Sequence, residues 1–424
     1  MNRLAIGAGV SMGLAALAAC ATSAEEVELP GLEPDAAVVD PGRSDAAGEP
    51  ADDAGPKPRI DACNEEGWCK TTLPDAKLVM RDIWPLEDGA FAIADGYNTG
   101  IKVLEWTSAD STWRYIDDNR QNEVAFAEVA TKIWAPNRDE VFYTVLPGLV
   151  FHGRRPVPPE TEWSWSSAPI EDRNVTTLDS VLAPIDLSRK LLLGVWGTGS
   201  DVYAWHGNTV YRADRSGGAV SWVAEYVADD VDSADSQLYF TAMTRAQGGD
   251  TWLVGSRRAP NGQVCAVIDR KTSAGYQRVV DGTPPSCAVR EGSALTLGSV
   301  VPRSVDALAP NHIVFRGSGR SLTGLKAEGA GYVTQTFTIP DTMIRALSSV
   351  WVQSPERVWL AGESSARYGV AVTADHMTVD GGVFEISSTA SNGAPALIPN
   401  QIRGTSATNL WIVGDRYALH KTTP

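Results

Sequence analysis

From residue 68 onward, the apolar residues of this chain recur in a short repeated sequence motif (the phrase) rather than with a helical period. The phrase is a turn residue, an apolar residue, an aromatic residue, two more apolar residues and then glycine, as in Arg357–Gly362 and Asn409–Gly414. Short apolar runs bounded by Gly, Asn, Asp, Ser and Pro are typical of β-strands. No segment after the first twenty residues shows a convincing helical period over ten residues. The pattern therefore predicts an all-β domain.

Seven copies of the phrase follow one another at intervals of about 46–61 residues. Its third position holds a large residue each time, namely Phe91, Phe142, Tyr203, Trp252, Ile313, Trp359 and Trp411. Four copies also have a tryptophan just upstream, at Trp84, Trp134, Trp196 and Trp351. Each interval holds about four strand-like runs, and four strands in a unit of about 40–60 residues form a β-propeller blade. The spacing predicts one propeller of seven four-stranded blades, with the repeated aromatic residues packed between blades.

The two ends of the repeat region predict how the ring closes. After the last phrase, only Tyr417–His420 could form another strand, so the seventh blade lacks its outer strand. The segment Trp68–Leu73 precedes the first blade and resembles the tryptophan-containing outer run of other units. We expect this N-terminal run to complete the seventh blade and to hide its open edge.

The repeat resembles the Trp-Gly and Asp-Val-Trp-Ala-Val-Gly repeats of propeller lipoproteins and secreted propellers in bacteria. The segment Trp196–Trp205, which reads Trp-Gly-Thr-Gly-Ser-Asp-Val-Tyr-Ala-Trp, carries the likeness most clearly. The resemblance covers residues 68–424, although the fifth copy, around Ile313, is degenerate. It implies the same β-propeller fold for this domain.

The first twenty residues have the pattern of an export signal. A positive start ending at Arg3 precedes the uncharged stretch Leu4–Ala19, which is too short for a bilayer span. The ending Leu17-Ala-Ala-Cys20 resembles the lipobox of bacterial lipoproteins. That resemblance implies a signal peptide at 1–19, lipidation of Cys20 and, since residue 21 is not Asp, anchoring in the outer membrane. A plain signal with Cys20 present by chance is the alternative.

Residues 20–60 are predicted to form a disordered acidic tether, followed by the propeller at 61–424. Ala21–Pro56 contains ten acidic residues and one basic residue, and no aromatic residue occurs before Trp68. Such a segment cannot bury enough apolar surface to offset its ordering entropy. The chain's net charge of -16 argues against nucleic acid as a partner. Because much of this charge lies in the tether, it says little about the propeller's ligand.

Four cysteines remain after Cys20, and an even number in an exported chain predicts two disulfides. Proximity in sequence favours Cys63–Cys69 and Cys265–Cys287 among the three possible pairings. A metal site is disfavoured, because no Cys-x-x-Cys occurs and no histidine lies near these positions.

No cofactor or catalytic residue is predicted, although several groups of residues were candidates. The five histidines are His152, His206, His312, His376 and His420, of which the first two and the last share a late position in their units. The cluster Asp229-Asp230-Val-Asp232-Ser-Ala-Asp235 could bind Ca²⁺ or form a solvated turn. Ser108–Trp113 is similar to the Asp-box of sialidases but lacks its glycine, and the adjacent arginines Arg154-Arg155 and Arg257-Arg258 fit no motif.

The leading functional hypothesis is a non-enzymatic, membrane-anchored envelope lipoprotein whose propeller is a binding or scaffold platform for a protein or an envelope glycan. The alternative is a carbohydrate-active enzyme, hydrolase or lyase, or a lectin, using the mouth of the central channel. Charged side chains that converge there beside exposed aromatic residues would favour the alternative. A channel lined by small or apolar groups would favour the first hypothesis.

Overall fold

The computed structural model describes residues 63–123, 129–174, 192–216, 219–228, 236–378, 381–390 and 397–423. The predicted signal peptide, the lipidation residue Cys20, the whole of the predicted tether and the Asp229–Asp235 cluster lie outside these residues. The one helical element in the described part is the 3-10 turn Arg120–Asn122. None of the helical structure in the described ranges is long and apolar enough to cross a membrane.

The first four blades are antiparallel sheets of four strands that follow the chain from the inner to the outer edge. Blade 1 contains β2 Val79–Leu86, β3 Gly89–Gly96, β4 Gly100–Thr107 and β5 Trp113–Tyr115. Blade 2 contains β6 Ala130–Asn137, β7 Glu140–Val145, β8 Leu149–Arg154 and β9 Ser164–Pro169. Blade 3 contains β10 Leu193–Thr198, β11 Asp201–His206, β12 Thr209–Asp214 and β13 Ser221–Val227. Blade 4 contains β14 Gln237–Arg245, β15 Thr251–Arg258, β16 Val264–Thr272 and β17 Gly275–Val280.

The remaining three blades complete the predicted seven, so the predicted fold is confirmed. Blade 5 contains β20 Val305–Ala309, β21 His312–Arg316, β22 Ser321–Glu328 and β23 Gly331–Thr338. Blade 6 contains β24 Ala346–Ser354, β25 Arg357–Glu363, β26 Gly369–Thr378 and β27 Gly381–Ser387. Blade 7 contains β28 Pro399–Ser406, β29 Asn409–Gly414 and β30 Tyr417–Lys421, with β1 Trp68–Lys70 as its outer strand.

Closure of the ring by the N-terminal strand is also confirmed. Strand β1 pairs antiparallel with β30, so that Trp68 lies opposite Lys421 and Lys70 opposite Leu419. The indole of Trp68 is buried, and its Nε1 donates a hydrogen bond of 2.9 Å to Ser387 Oγ in blade 6. Strand β1 therefore joins blade 7 and also contacts the neighbouring blade.

The repeated large residues are the core between blades, as the sequence predicts. All seven are buried on the second strand of their blades. Phe91 of blade 1, for example, packs in one cluster with Ile133 and Tyr143 of blade 2. Trp411 of blade 7 packs with Leu78 and Trp106 of blade 1. Each of these side chains thus buries apolar surface against a neighbouring blade as well as its own.

Both predicted disulfides are present. Cys63–Cys69 lies beside strand β1, at the closure of the ring. Cys265–Cys287 joins strand β16 to a segment between blades 4 and 5 that the repeat pattern does not predict. This segment includes a small hairpin formed by β18 Gly282–Thr283 and β19 Ala288–Val289. The hairpin accounts for the long interval between the fourth and fifth phrases.

Replacing Trp68 with alanine tests the closure. Loss of a fully buried indole and its hydrogen bond should lower the free energy of unfolding by about 3–5 kcal/mol. The matched control is Lys70→Ala, two residues along the same strand, where the side chain is exposed and the change should stay within about 0.5 kcal/mol. Thermal melts of both variants, and of a deletion of residues 61–75, measure the effect. Equal melting temperatures for wild type, Trp68→Ala and the deletion would show that closure does not stabilise the ring.

Candidate functional site: the central channel

The innermost strands of all seven blades line one cavity of about 190 Å³. Since each blade contributes its first strand to the lining, this cavity lies on the axis of the propeller. Its lining combines charged side chains with indole rings: Asp82, Lys132, Arg303, Asp306, Arg403, Trp84, Trp196, Trp205 and Trp351. Such a mixture of apolar walls and a few convergent polar groups is typical of ligand sites.

One repeated position supplies much of this lining. On the first strand of each blade, it lies directly across from the large residue of the phrase, as Trp84 does from Phe91. The position is tryptophan in blades 1, 2, 3 and 6, but Thr244 in blade 4, Ala307 in blade 5 and Arg403 in blade 7. Five of these seven residues, all except Trp134 and Ala307, line the cavity, so blades with the same backbone present different groups to the axis. Of the four tryptophans, Trp134 is fully buried, whereas Trp84 and Trp196 are only half-buried.

The two carboxylates of the cavity connect neighbouring blades. Asp82 Oδ2 accepts a hydrogen bond of 3.1 Å from the backbone N–H of Ile133 in blade 2. Asp306 in blade 5 accepts bonds from the backbone N–H of Val352 in blade 6 and from Thr244 Oγ1 in blade 4, at 2.8 and 3.2 Å. Burial raises the pKa of Asp306, although these donors oppose the shift. Both carboxylates thus have structural partners.

The cations of the cavity make fewer hydrogen bonds and ion pairs than the carboxylates do. Within the described residues, neither Lys132 Nζ nor the guanidinium of Arg303 makes a hydrogen bond or an ion pair. Arg403 stacks over the ring of Trp84, with Cζ 4.6 Å from the ring centroid. Burial lowers the pKa of Lys132; the nearby Asp82 opposes this shift and Arg403 adds to it. Burial, with repulsion from Arg303, also lowers the pKa of Arg316 to about 10.

The histidines do not form a site in the described part of the chain. His152 and His420 occupy equivalent positions on the third strand, where their rings stack on Phe142 and Trp411 at centroid distances of 4.4 and 4.0 Å. His206 was expected at the same position but lies on the second strand of blade 3, with Nδ1 3.0 Å from the carbonyl oxygen of Ile170. His312 is on the second strand of blade 5. The side chain of His376 lies outside the described residues.

The remaining sequence candidates are structural where the structure describes them. Arg257 is buried and pairs with Asp281 at 2.7 Å. Arg155 pairs with Glu105 of blade 1 and stacks over Trp163. In the segment similar to an Asp-box, Asp110 accepts a hydrogen bond from Thr107 Oγ1 within its own turn. Across the described ranges, no three His, Cys, Asp or Glu side chains are placed to hold a metal ion.

The comparisons with known proteins agree on the fold. No protein-family model matches the sequence, and no curated protein matches it either. The chain is similar to the solved structure of YCF48 bound to a D1 peptide, with 12% identity, a TM-score of 0.51, and coverage of 86% of this chain and 100% of that one. It is equally similar to YCF48 from Cyanidioschyzon merolae, with 12% identity, a TM-score of 0.51, and coverage of 84% and 99%. At this identity, the likeness shows a β-propeller and no more.

Sequence reasoning identified the fold around the channel but not the channel's charged residues. Arg403 could have been noticed, because it stands where four other units have tryptophan. Lys132 and Arg303 carry no such signal, since each is a single basic residue among apolar ones. Their convergence depends on the ring, which brings blades 2, 5 and 7 to a common axis.

A comparison of two arginines gives a stability test of the channel: one has no ion-pair partner among the described residues, and the other lies in a buried ion pair. Arg303→Gln removes a half-buried cation that repels Arg316, so we expect the free energy of unfolding to rise by about 0.5–1 kcal/mol. Arg257→Gln removes one ion-pair partner of the buried Asp281, which keeps Arg278, and should lower the free energy of unfolding by about 1–3 kcal/mol. Chemical denaturation of both variants measures the difference. A clear loss of stability in Arg303→Gln would show that this side chain has a structural role.

The histidine in blade 7 predicts a loss of stability in acid. Burial lowers the pKa of His420 to about 4, and its Nε2 lies 3.0 Å from Asn409 Oδ1, which the neutral ring can donate to. Above pH 6.5 the ring is neutral in both states, so its contribution is fully present. As the pH falls from 6.5 towards 4, the unfolded chain gains the proton first and about 1–2 kcal/mol is lost by pH 5. Unfolding of wild type and His420→Gln at pH 7 and pH 5 checks this: the variant should lose less, and an equal loss would contradict the assignment.

Proposed function

We propose that this protein is an exported, lipid-anchored binding protein that takes its ligand at the mouth of the central channel and performs no catalysis. The observation that carries the proposal is the cavity itself, in which three weakly committed cations converge beside half-buried tryptophans. Cations without a hydrogen-bonded partner in a partly buried site are costly to the fold. A role in ligand binding would explain why these cations are present, because they do not stabilise the fold.

The proposed anchor is Cys20, with the acidic segment at 20–60 as a tether to the propeller. Several acyl chains would hold the protein at the membrane stably. The lipobox-like ending Leu17-Ala-Ala-Cys20 supports this, and Ala21 supports the outer membrane as its destination. The tether would let the propeller reach a partner away from the lipid surface.

The proposed partner is a protein or an envelope glycan. A propeller of similar fold has been solved with a peptide bound, which supports a protein partner. Charged groups beside half-buried aromatic residues were the feature expected of the alternative, a lectin or carbohydrate-active enzyme at the channel mouth. The convergence of charged groups and indole rings therefore favours a lectin as the second candidate, whereas the excess of unused donors in the cavity argues against a ligand rich in hydroxyl groups. Hydrolysis is less well supported, because both Asp82 and Asp306 are engaged by backbone N–H groups rather than paired as acid and base.

Plugging the channel mouth tests the proposal. Thr405 is exposed and borders the cavity, so Thr405→Trp should block entry while leaving the core intact. Thr408→Trp adds the same bulk to the same turn at an exposed position that does not line the cavity. Wild type and both variants, each with and without Cys20→Ser, would be used to capture partners from crosslinked native envelopes.

We expect wild type and Thr408→Trp to retain a specific partner and Thr405→Trp to lose at least nine-tenths of it. Cys20→Ser should move the protein out of the membrane fraction without abolishing capture by detergent-solubilised protein. Equal capture by Thr405→Trp and Thr408→Trp would show that the channel mouth is not the binding site. A Cys20→Ser protein that stays in the membrane would contradict the lipid anchor.

A further inference from the structure

We propose that the channel cavity binds a carboxylate group carried on an apolar body. This inference rests on the proposed use of the channel mouth as a binding site and names the chemistry of the ligand. It follows from the unused hydrogen-bonding capacity of the cavity, from the apolar character of its walls and from the distribution of charge over the chain.

The unused capacity of the cavity consists mostly of donors. Lys132 and Arg303 bring up to eight N–H groups that have no hydrogen-bond partner in the described part of the chain. Trp205 Nε1 is buried and also lacks a partner among the described residues. On the acceptor side, Asp82 Oδ1 is the buried side-chain oxygen of this lining without a partner in the described ranges. A ligand rich in acceptors matches this lining, whereas a ligand rich in hydroxyl donors does not.

The cations surround the axis instead of lying on one side. Lys132 comes from blade 2, Arg303 from the segment that enters blade 5, and Arg403 from blade 7. A single small anion on the axis can therefore be approached from several directions. Bidentate pairing with a guanidinium and a point contact with an ammonium are the usual means by which proteins hold a carboxylate.

The rest of the lining is partly apolar, with Thr244, Ser304, Gln401 and Thr405 as its uncharged polar members. Val195, Met243, Val305 and Val350 line the cavity together with the indoles of Trp84 and Trp196. Such walls favour an aliphatic or aromatic group next to the anion, since burying its surface contributes about 25 cal/mol per Å². Against these apolar side chains, the hydroxyl groups of a polyol would lack acceptors, which is unfavourable. The walls thus distinguish an apolar acid from an acidic sugar.

The local charge is opposite to that of the whole protein. Residues 61–424 carry 42 acidic against 32 basic side chains, yet the cavity has three cations and two carboxylates. In a cleft with low-dielectric walls, a local excess of one sign attracts ligands of the opposite sign. The cavity volume of about 190 Å³ matches a single carboxylate better than a large polyanion.

Calorimetry with matched acids and amides tests the inference on the full-length protein in detergent. The probes are 3-phenylpropionate and 3-phenylpropionamide, which differ in charge but not in shape, and glucuronate, which carries its carboxylate on a polar body. Acetyl-Ala-Phe with a free or an amidated C-terminus represents the end of a polypeptide. Tighter binding of this peptide acid than of 3-phenylpropionate assigns the ligand to polypeptide ends, and the reverse assigns it to free small acids.

We expect each apolar acid to bind at least tenfold more tightly than its amide and than glucuronate, and to bind more weakly as salt is added. Arg303→Gln and Lys132→Gln should each weaken the acids at least tenfold without unfolding the protein. Arg320→Gln, at a half-buried arginine outside the cavity that pairs with Asp341 at 3.4 Å, should change nothing. Thermal melts of the same samples confirm that each variant is folded.

Several results would overturn the inference. Amides that bind as well as acids would remove the role of the carboxylate, and glucuronate binding better than 3-phenylpropionate would remove the apolar body. No binding of any probe at millimolar concentration, or acids unaffected by Arg303→Gln, would exclude the site. If Thr405→Trp loses its envelope partner while no acid binds wild type, the proposed function stands and this inference fails. If acids bind but Thr405→Trp keeps its partner, this inference stands and the proposed use of the channel mouth for partner binding fails.

Discussion

The pairing of strand β1 with strand β30 is the contact on which the rest of this structure depends. Each blade buries apolar surface against both neighbours, so an open ring would expose the faces of two blades and the edge of one sheet. Trp68 completes the last of these interfaces from the opposite end of the chain, with an edge contact to Trp359 in blade 6. The Cys63–Cys69 disulfide lies beside this closure and restrains the segment that makes it.

The closed ring also creates the channel. Once the seven first strands surround one axis, residues far apart in sequence share a cavity, and the position opposite the large core residue becomes a lining position in five of the seven blades. In four blades this position keeps a tryptophan, while Arg403 in blade 7 places a cation over the ring of Trp84 in blade 1. The packing between blades therefore uses a large buried residue in every blade, whereas the residue opposite it, towards the axis, differs in chemical type.

The charged groups of the channel differ in how much of their bonding capacity the fold uses. Asp82 and Asp306 link blades through backbone N–H groups, so they contribute to the geometry of the ring. Lys132 and Arg303 contribute no such link within the described residues, and burial lowers the pKa of Lys132. By contrast, Arg257 and Arg278 elsewhere pair with Asp281 in a buried cluster. The channel thus differs from this cluster, because its cations Lys132 and Arg303 have no ion-pair partner among the described residues.

The sequence by itself determined the seven blades, the closing strand and both disulfides. Repeats, an unfinished last unit and short cysteine spacings are local patterns, and each has one favourable way to bury its apolar groups or close its loop. The hairpin at residues 282–289 escaped prediction because it interrupts a repeat instead of forming one. The charge of the channel was decided only by the tertiary structure. Lys132, Arg303 and Arg403 lie in different repeats without a shared pattern, and their proximity exists only once the ring has closed.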